Sequence, residues 1–373
     1  MILQRLSIDN FKNISHAQLE FTSKVNCLLG NNGMGKSNLL DAIYYLSFCK
    51  SFNGVQDTML IKNDENFCIV NASYLRRNIE ENLSLGISRG KRKSLKRKGK
   101  EYQRLSQHIG SFPLVMIAPN DIDIIRGNSD ERRRLIDMII SQSDHPYLEQ
   151  LIRYNRALEQ RNKLLRDGCV DHSLYMAIEI SMAMAAEYIH LRRKEWIDKL
   201  SKIFNLYYNA IAGDNEKVEL IYNSHLNTPG ITLESLFDST RRHDEILKHT
   251  SVGIHRDDIE MNISGMAVKR TGSQGQCKTF TISLRLAQYE LLSQATSVKP
   301  LLLLDDIFDK LDASRVEHIM EIVMRPTFGQ IFITDTNRTH LDNIISRTTG
   351  DFRIWEVANG CFSPITNTTH ETQ

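Results

Sequence analysis

The sequence predicts an α/β fold, a mixed sheet with helices, interrupted by an inserted and mainly helical lobe. Three observations support this prediction. A glycine-rich loop follows a short apolar run near residue 30, a second apolar run ends in paired carboxylates near residue 305, and no proline occurs between Pro146 and Pro229 in the 373-residue chain. We expect residues 1–125 and 249–373 to form two halves of one domain, and residues 126–248 to form the lobe.

Two alternating runs open the chain, at residues 6–11 and 17–21, on either side of a polar turn at Lys12 and Asn13. Alternation of apolar and polar side chains is typical of a half-buried antiparallel strand pair. Taken alone, a lysine in such a turn is more often solvated than bound to a ligand. Lys12 therefore becomes a candidate ligand contact only if something beyond its position supports that role.

Residues 30–37 read GNNGMGKS and match the G-x-x-x-x-G-K-[ST] phosphate-binding pattern. The glycines let backbone N–H groups face a phosphate chain, the lysine reaches the β- and γ-phosphate oxygens, and the serine hydroxyl ligates Mg²⁺. An apolar strand at residues 25–29 and a helical pattern after the loop favour this interpretation over a surface turn. The predicted nucleotide-binding residues are Gly30, Asn31, Asn32, Gly33, Met34, Gly35, Lys36, Ser37 and Asn38.

A basic segment follows two further predicted strands, at residues 66–74 and 82–87. Such a segment can neutralise DNA phosphates, and it can equally be the solvated end of a hairpin; the sequence leaves both interpretations open. Its cationic residues are Lys91, Arg92, Lys93, Lys96, Arg97, Lys98 and Lys100.

The lobe is predicted to contain a pair of antiparallel helices, because apolar residues recur at helical spacing from residue 148 to residue 204 with a break at Gly168. Loop-forming residues then dominate 213–230, around one short strand at 218–222. The basic residues of the helical pair are interpreted as a solvated helix face. They are Arg153, Arg156, Arg161, Arg192, Arg193 and Lys194.

The segment His255-Arg256-Asp257-Asp258 follows Gly253 in a polar setting. Adjacent ligands point to different sides of any regular element, so a metal site is disfavoured here. The preferred interpretation is a loop that contacts phosphate or a partner surface.

Two later motifs extend the predicted phosphate site. Asp305 and Asp306 follow a buried strand at residues 301–304; the first carboxylate suits Mg²⁺, and the second suits a role in orienting or deprotonating water. The turn Ser273-Gln274-Gly275-Gln276 precedes an amphipathic helix, and a helix N-terminus is a second anion-binding element. We expect this turn to cover the nucleotide held by a second molecule.

Composition excludes several classes of protein. The net charge is only +2 at pH 7, so an anionic partner requires a local basic patch. The six cysteines include no C-x-x-C pair, which disfavours a zinc knuckle or a disulfide framework and predicts reduced interior residues. No signal peptide and no apolar run of about 20 residues is present, so a cytosolic protein without membrane association is expected.

Taken together, the motifs resemble those of the RecF family, relatives of SMC-type and ABC-type ATPases. They run through almost the whole chain. The residues that carry the resemblance are Leu6-x-Ile8-x-Asn10-Phe11-Lys12-Asn13, the GNNGMGKS loop, Pro119-x-Asp121 with Gly127, Arg132-Arg133-Arg134-x-x-Asp137, Gly253-x-His255-Arg256-Asp257-Asp258, Gly272-Ser273-Gln274-Gly275-Gln276, and Leu304-Asp305-Asp306-x-Phe308-Asp309-x-Leu311-Asp312.

The resemblance implies an ABC-type P-loop ATPase head with a helical lobe, which binds ATP and Mg²⁺ and forms a head-to-tail homodimer on ATP. It also implies binding to double-stranded DNA and single/double-strand junctions by the dimer, slow DNA-stimulated hydrolysis, and a role with RecO and RecR in directing RecA to gapped DNA in repair, replication and the SOS response.

Residue by residue, the resemblance assigns Lys36 and Ser37 to phosphate and Mg²⁺, Asp305 to Mg²⁺, and Asp306 to catalysis. It assigns Ser273, Gln274, Gly275 and Gln276 to the contact with the partner's ATP, and Lys12 to an approach toward the phosphates. Cys277-Lys278 replaces the common Gln-Arg, and Asp335 stands where transporter cassettes carry a histidine. A transporter ATPase subunit and a small-molecule kinase are the alternative functions.

Overall fold

The computed structural model describes residues 1–213, 216–308, 311–337 and 351–365. Two compact units are present: Met1–Asn120 with Leu292–Gln373, and Asp121–Leu291. The second boundary therefore falls after Leu291, whereas the sequence analysis placed it after residue 248. The difference arises because the segment after residue 248 packs within the helical unit, where the rings of Phe280 and Phe204 lie 4.6 Å apart.

The strands follow one another along the chain as β1 (Ile2–Phe11), β2 (Ile14–Glu20), β3 (Val25–Leu29), β4 (Phe67–Arg76), β5 (Ile79–Ser88), β6 (Ser94–Arg97), β7 (Lys100–Glu101), β8 (Leu114–Ile117), β9 (Val218–Asn223), β10 (Asp258–Ile263), β11 (Met266–Ala267), β12 (Leu301–Asp305), β13 (Ile331–Asp335), β14 (Phe352–Ala358) and β15 (Cys361–Ile365). The α-helices of the described residues are α1 (Lys36–Phe48), α2 (Asp123–Arg126), α3 (Ser129–Ser141), α4 (His145–Asp167), α5 (His172–Ala212), α6 (Leu233–Leu247), α7 (Val268–Thr271), α8 (Gln274–Thr296) and α9 (Ala313–Val323).

The first unit contains a six-stranded sheet in the order β15-β14-β3-β13-β12-β8. Five of its strands are parallel, and only β15 pairs in the antiparallel sense with β14. Strands β12 and β13 are buried at every position, as expected for the continuous apolar runs of a parallel sheet covered on both faces. The carboxyl ends of β3, β12 and β13 therefore lie at one edge of the sheet, where ligands of open α/β sheets bind.

A second, antiparallel sheet in the same unit has the order β2-β1-β4-β5-β6-β7. Strands β1 and β2 pair from Arg5 opposite Glu20 to Phe11 opposite Ile14, which confirms the predicted pair with its turn at Lys12 and Asn13. The predicted strands at residues 66–74 and 82–87 correspond to β4 and β5, which form a hairpin.

The second unit contains the long helices α4 and α5, which confirm the predicted helical pair. Asp144 caps α4 by accepting a hydrogen bond from the Tyr147 amide, and Gly168 ends it in the left-handed region at φ 66°. Helix α5 continues to Ala212, beyond the predicted end of the apolar pattern at residue 204. The strand predicted at 218–222 is β9, in a three-stranded sheet of order β11-β10-β9.

Two arginines of this helical pair are buried, so their interpretation as part of a solvated face is wrong. Arg161 is fully buried and donates to Glu179 at 2.9 Å and to Asp244 at 2.7 Å. Arg193 is 2 % exposed and pairs with Asp137 and Asp257. Charged groups removed from water require such partners, and each of the two buried arginines therefore lies in an ion-pair cluster inside the helical unit.

Four of the six cysteines are buried and free, as predicted, whereas Cys169 is half-buried and Cys361 is exposed. Among the described residues, none of the helices has the length and apolar character needed to cross a bilayer.

Candidate functional site

The phosphate-binding pattern forms the connection between β3 and α1, as its chemistry requires. Gly33 and Gly35 adopt φ values of 81° and 114°, in the left-handed region that residues with a Cβ avoid. A Cβ on Gly30 would lie 2.3 Å from the carbonyl oxygen of Val357, so this position accepts only glycine without a backbone shift. The loop is thus a cradle of backbone groups at the N-terminus of a helix.

Lys36 bends back over this loop. Its ammonium donates to the carbonyl of Gly30 at 2.5 Å and to that of Asn31 at 3.0 Å, and the residue is almost fully buried. Burial lowers the pKa of the Lys36 ammonium, while the carboxylates of Asp306 and Asp305 act in the opposite direction. The Lys36 ammonium is therefore held next to the phosphate loop by the loop's own carbonyls. A phosphate oxygen bound there would be an additional hydrogen-bond partner.

The paired carboxylates lie at the carboxyl end of β12, next to the phosphate loop. The hydroxyls of Ser37 and Thr334 both donate to Asp305 Oδ1, at 2.9 and 2.8 Å. Burial raises the pKa of the Asp305 carboxyl, and these hydrogen bonds act in the opposite direction. The chemistry of this donor set fits Mg²⁺, which takes one or two protein oxygens and completes its shell with water and phosphate.

Asp306 has a different environment from its neighbour. Its φ of 49° is unusual for a residue with a side chain, and its backbone amide donates to Thr334 Oγ1 at 2.9 Å. Asp306 also lines a cleft of about 110 Å³ together with residues of the phosphate loop and α1. The other lining residues are Asn32, Gly33, Gly35, Lys36, Ser37 and Asn38. Asp306 is therefore placed to act on a group inside the cleft, whereas Asp305 accepts a hydrogen bond from Ser37, one of the residues that line it.

No group of three or more histidine, cysteine or carboxylate ligands that could hold a metal alone occurs within the described part of the chain. Asp309, which belongs to the motif after the carboxylates, lies outside the described residues.

Lys12 forms an ion pair with Asp41 of α1 at 2.6 Å. The following residue, Asn13, accepts a hydrogen bond from Asn38 at 2.8 Å and lies against Gly35. The turn between β1 and β2 therefore packs on the phosphate loop. Asp41 and Thr334 are site residues that the sequence analysis did not single out, and Asn13 was named there only as part of the turn and of the family motif.

The turn at Ser273–Gln276 belongs to the helical unit and begins α8. Ser273 Oγ accepts from the Gln276 amide at 3.1 Å, and Gln276 Oε1 accepts from the Ser273 amide at 2.8 Å. This reciprocal arrangement is a capping box. The Gln276 side chain also donates to Glu216, whereas Ser273 and Gln274 are exposed. The turn is thus a rigid helix N-terminus with its serine open to solvent.

The basic segment divides into two groups of residues. Lys93 is directed inward and contacts Asp57 at 2.9 Å and the carbonyl of Cys49, and Arg97 pairs with Glu81. These two residues attach β6 to the body of the unit. The remaining predicted DNA contacts are exposed: Lys91, Arg92, Lys96 and Lys98.

The segment at 255–258 has a structural role within the helical unit, and the phosphate or interface contact expected from the sequence stays a prediction. Asp257 is buried and accepts from Arg193 at 2.8 Å and from Tyr222 at 2.6 Å. Asp258 pairs with Arg132. Burial lowers the pKa of His255 to about 4, so its ring is neutral near pH 7 and bonds to Tyr154 at 2.8 Å.

Comparison with known proteins assigns the family. A family model described as the RecF/RecN/SMC N-terminal domain matches residues 2–354. The chain is 48% identical over 365 residues to the DNA replication and repair protein RecF of Parabacteroides distasonis. The alignment covers 98% of this chain and 100% of that protein. The chain belongs to the RecF family. The similarity extends from the phosphate loop through the helical unit, so the family assignment covers both compact units.

Solved structures agree with this assignment. A structure described as the recombination mediator protein RecF with ATP in the RecFOR pathway matches this RecF-family chain with a TM-score of 0.88, at 29% identity and 98% coverage of both chains. The Smc head domain of Pyrococcus furiosus with an extended coiled coil matches with a TM-score of 0.57 at 16% identity, over 98% of this chain and 96% of that one. The second match supports the predicted ATPase-head fold alone. A transporter subunit is not favoured by either comparison.

Proposed function

We propose that this RecF-family chain is an ATP-dependent DNA-binding protein of DNA replication and repair, in which ATP joins two copies head to tail. One observation carries the proposal: Ser273 is exposed at the capped start of α8, in a different compact unit from the phosphate loop. A preformed anion-binding turn of this kind suits the phosphates of a nucleotide bound by another copy. The RecF structure solved with ATP supports ATP as the nucleotide.

Each half of the proposed composite site has a defined task. Residues 30–38 enclose the phosphates with backbone N–H groups, Lys36 supplies positive charge, and Lys12 adds a second cation from the neighbouring turn. Ser37 and Asp305 would hold Mg²⁺, which when bound neutralises charge on the phosphate oxygens. Ser273, Gln274, Gly275 and Gln276 complete the enclosure from the partner copy. ATP that binds tightly only to the closed pair shifts the monomer–dimer equilibrium by mass action.

Asp306 is the proposed catalytic residue for hydrolysis of ATP to ADP and phosphate, because it lines the cleft and can orient or accept a proton from the attacking water. Asp306→Asn is expected to lower ATP turnover by about 100- to 10,000-fold, the usual contribution of a positioned acid–base group, while ATP affinity is retained. Steady-state turnover and ATP titration measure the two quantities separately. Equal loss of affinity and turnover would assign Asp306 to binding.

The shorter Asp side chain also suits slow hydrolysis, because Glu at this position reaches one methylene further toward water. Asp306→Glu is therefore expected to raise turnover in the same assay. Unchanged or lower turnover in this variant contradicts the explanation.

DNA binding is proposed for the ATP-bound pair, with Lys91 and Arg92 as exposed phosphate contacts beside Lys96 and Lys98. Replacing Lys91 and Arg92 together by alanine is expected to weaken duplex binding and to lower the slope of log K against log[salt] by about 2. Fluorescence anisotropy of a labelled duplex with and without ATP, over a salt series, measures both effects. Lys299→Ala, an exposed lysine of the same unit, is the control.

Two outcomes of this experiment are decisive. Duplex affinity that does not depend on ATP in the unmodified protein contradicts the proposed function. An unchanged salt slope in the double variant, with ATP dependence intact, would show that the DNA contact lies elsewhere, and the helical pair α4 and α5 would be tested next.

The RecFOR pathway named for the solved relative supports RecO and RecR as proposed partners of this chain. Loading of RecA at gapped DNA and a part in the SOS response are proposed with them from the family resemblance. A cytoplasmic location follows from this proposed role.

A further inference from the structure

Asp41 is a buried carboxylate on α1, the helix that begins at the phosphate loop. It lies four residues after Ser37, on the same helix face, and is only 1% exposed. Three donors surround it: Lys12 Nζ at 2.6 Å, Ser51 Oγ at 2.8 Å and the Phe52 amide at 2.7 Å. A buried carboxylate requires hydrogen-bonding partners of this kind, and Lys12 is the one cation among those three donors.

Lys12 is itself held at both its backbone and its side chain. Its φ is 52°, in the left-handed region, and its amide donates to the carbonyl of Leu60 at 2.7 Å. Its side chain is 18% exposed. Asn13, the next residue, accepts a hydrogen bond from Asn38 of α1 and lies against Gly35 of the phosphate loop. The same two-residue turn is thus fixed to α1 through an ion pair and an amide hydrogen bond, next to Gly35 of the phosphate loop.

We propose that Asp41 is a positioning residue for the nucleotide: it holds the Lys12 ammonium beside the phosphate loop, so that the cation is in place before the phosphates arrive. A free lysine loses rotamer freedom when it binds phosphate, whereas a lysine already fixed by a carboxylate has lost that freedom on folding. The inference rests on the proposed ATP site. It assigns Asp41 a role that acts only through Lys12.

The alternative is a local structural role, in which Asp41 merely fastens the segment at Ser51 and Phe52 to α1. A double-mutant cycle separates the two roles. Asp41→Asn, Lys12→Met and the double variant are each titrated with ATP by isothermal calorimetry, and urea denaturation of each variant monitors folding. Ser51→Ala, which removes one donor to Asp41 and leaves the ion pair, is the matched control.

If Asp41 positions Lys12, each single variant weakens ATP binding about 10- to 100-fold, as expected for loss of one charge-assisted contact. Asp41→Asn then has less than about a twofold further effect when Lys12 is already methionine. Ser51→Ala leaves ATP affinity unchanged. If Asp41→Asn does not fold, Asp41→Glu, which keeps the charge and displaces it by one methylene, is compared in the same two backgrounds.

Two results would overturn the inference. ATP affinity that is unchanged or tighter in Asp41→Asn shows that Lys12 needs no anchor. An equal loss with and without Lys12 shows that Asp41 acts independently of it. Lys36→Met distinguishes both results from failure of the ATP site itself, because a functional site loses affinity in that variant whatever Asp41 does.

Discussion

Lys36→Met is expected to weaken ATP binding about 10- to 100-fold and to abolish ATP-driven pairing, because it removes a charge-assisted contact to phosphate. The structure adds a reason for this size of effect. The Lys36 ammonium is already held by the carbonyls of Gly30 and Asn31, so its side chain loses little further conformational entropy when phosphate binds. Methionine has nearly the same length and leaves those two carbonyls without a donor.

Titration with ATP and sedimentation velocity with and without ATP measure the two effects of Lys36→Met. Lys299→Met changes an exposed lysine of the same unit and should behave like the unmodified protein in both measurements. ATP affinity within threefold of the unmodified protein would show that the loop does not bind the phosphates as proposed.

Arg193→Met is expected to lower the free energy of unfolding by about 3 to 5 kcal/mol, the usual cost of removing one partner from a buried ion pair. Arg193 donates to Asp137, to Asp257 and to the carbonyl of Ile254, and the side chain is 2% exposed. Its removal leaves the two carboxylates without their cation in the interior of the helical unit.

Urea denaturation followed by circular dichroism measures this loss. Lys194→Met is the matched control, because the neighbouring residue is exposed and its replacement should change stability by no more than about 0.5 kcal/mol. Comparable small effects of both substitutions would mean that the cluster around Arg193 is not a main source of stability.

The sheet that carries the phosphate loop was predictable from the sequence, because its signals are local. A strand, the GNNGMGKS loop and a helix follow one another without interruption, and continuous apolar runs mark β12 and β13. The pairing of Asp305 with Ser37 depends on strand order, which no local pattern reports; the family motifs placed the two residues in one site, and the structure brings them within 2.9 Å.

The roles of charged residues were less predictable, because periodicity reports where apolar groups lie and gives no partner for a charge. The helical spacing of the apolar residues does not tell whether Arg161 and Arg193 face solvent or the interior. Their carboxylate partners lie on other parts of the chain. Asp257 appeared polar and loop-like, yet it is the buried partner of Arg193. The basic segment shows the same limitation, because Lys93 and Arg97 differ from Lys91 and Arg92 only in the contacts that tertiary structure provides.

Mixing two inactive variants tests the central claim, that one ATP is enclosed by Lys36 of one copy and Ser273 of the other. Ser273→Arg should bind ATP as a monomer but fail to pair, and Lys36→Met should fail to bind ATP tightly. In a mixed pair, one composite site keeps both native residues and the other loses both. ATP turnover of the mixture is expected to rise well above that of either variant alone, toward about half of the unmodified rate, because only mixed pairs form and each has one intact site. Turnover no greater than the sum of the separate variants, or normal pairing and turnover by Ser273→Arg alone, would contradict the claim.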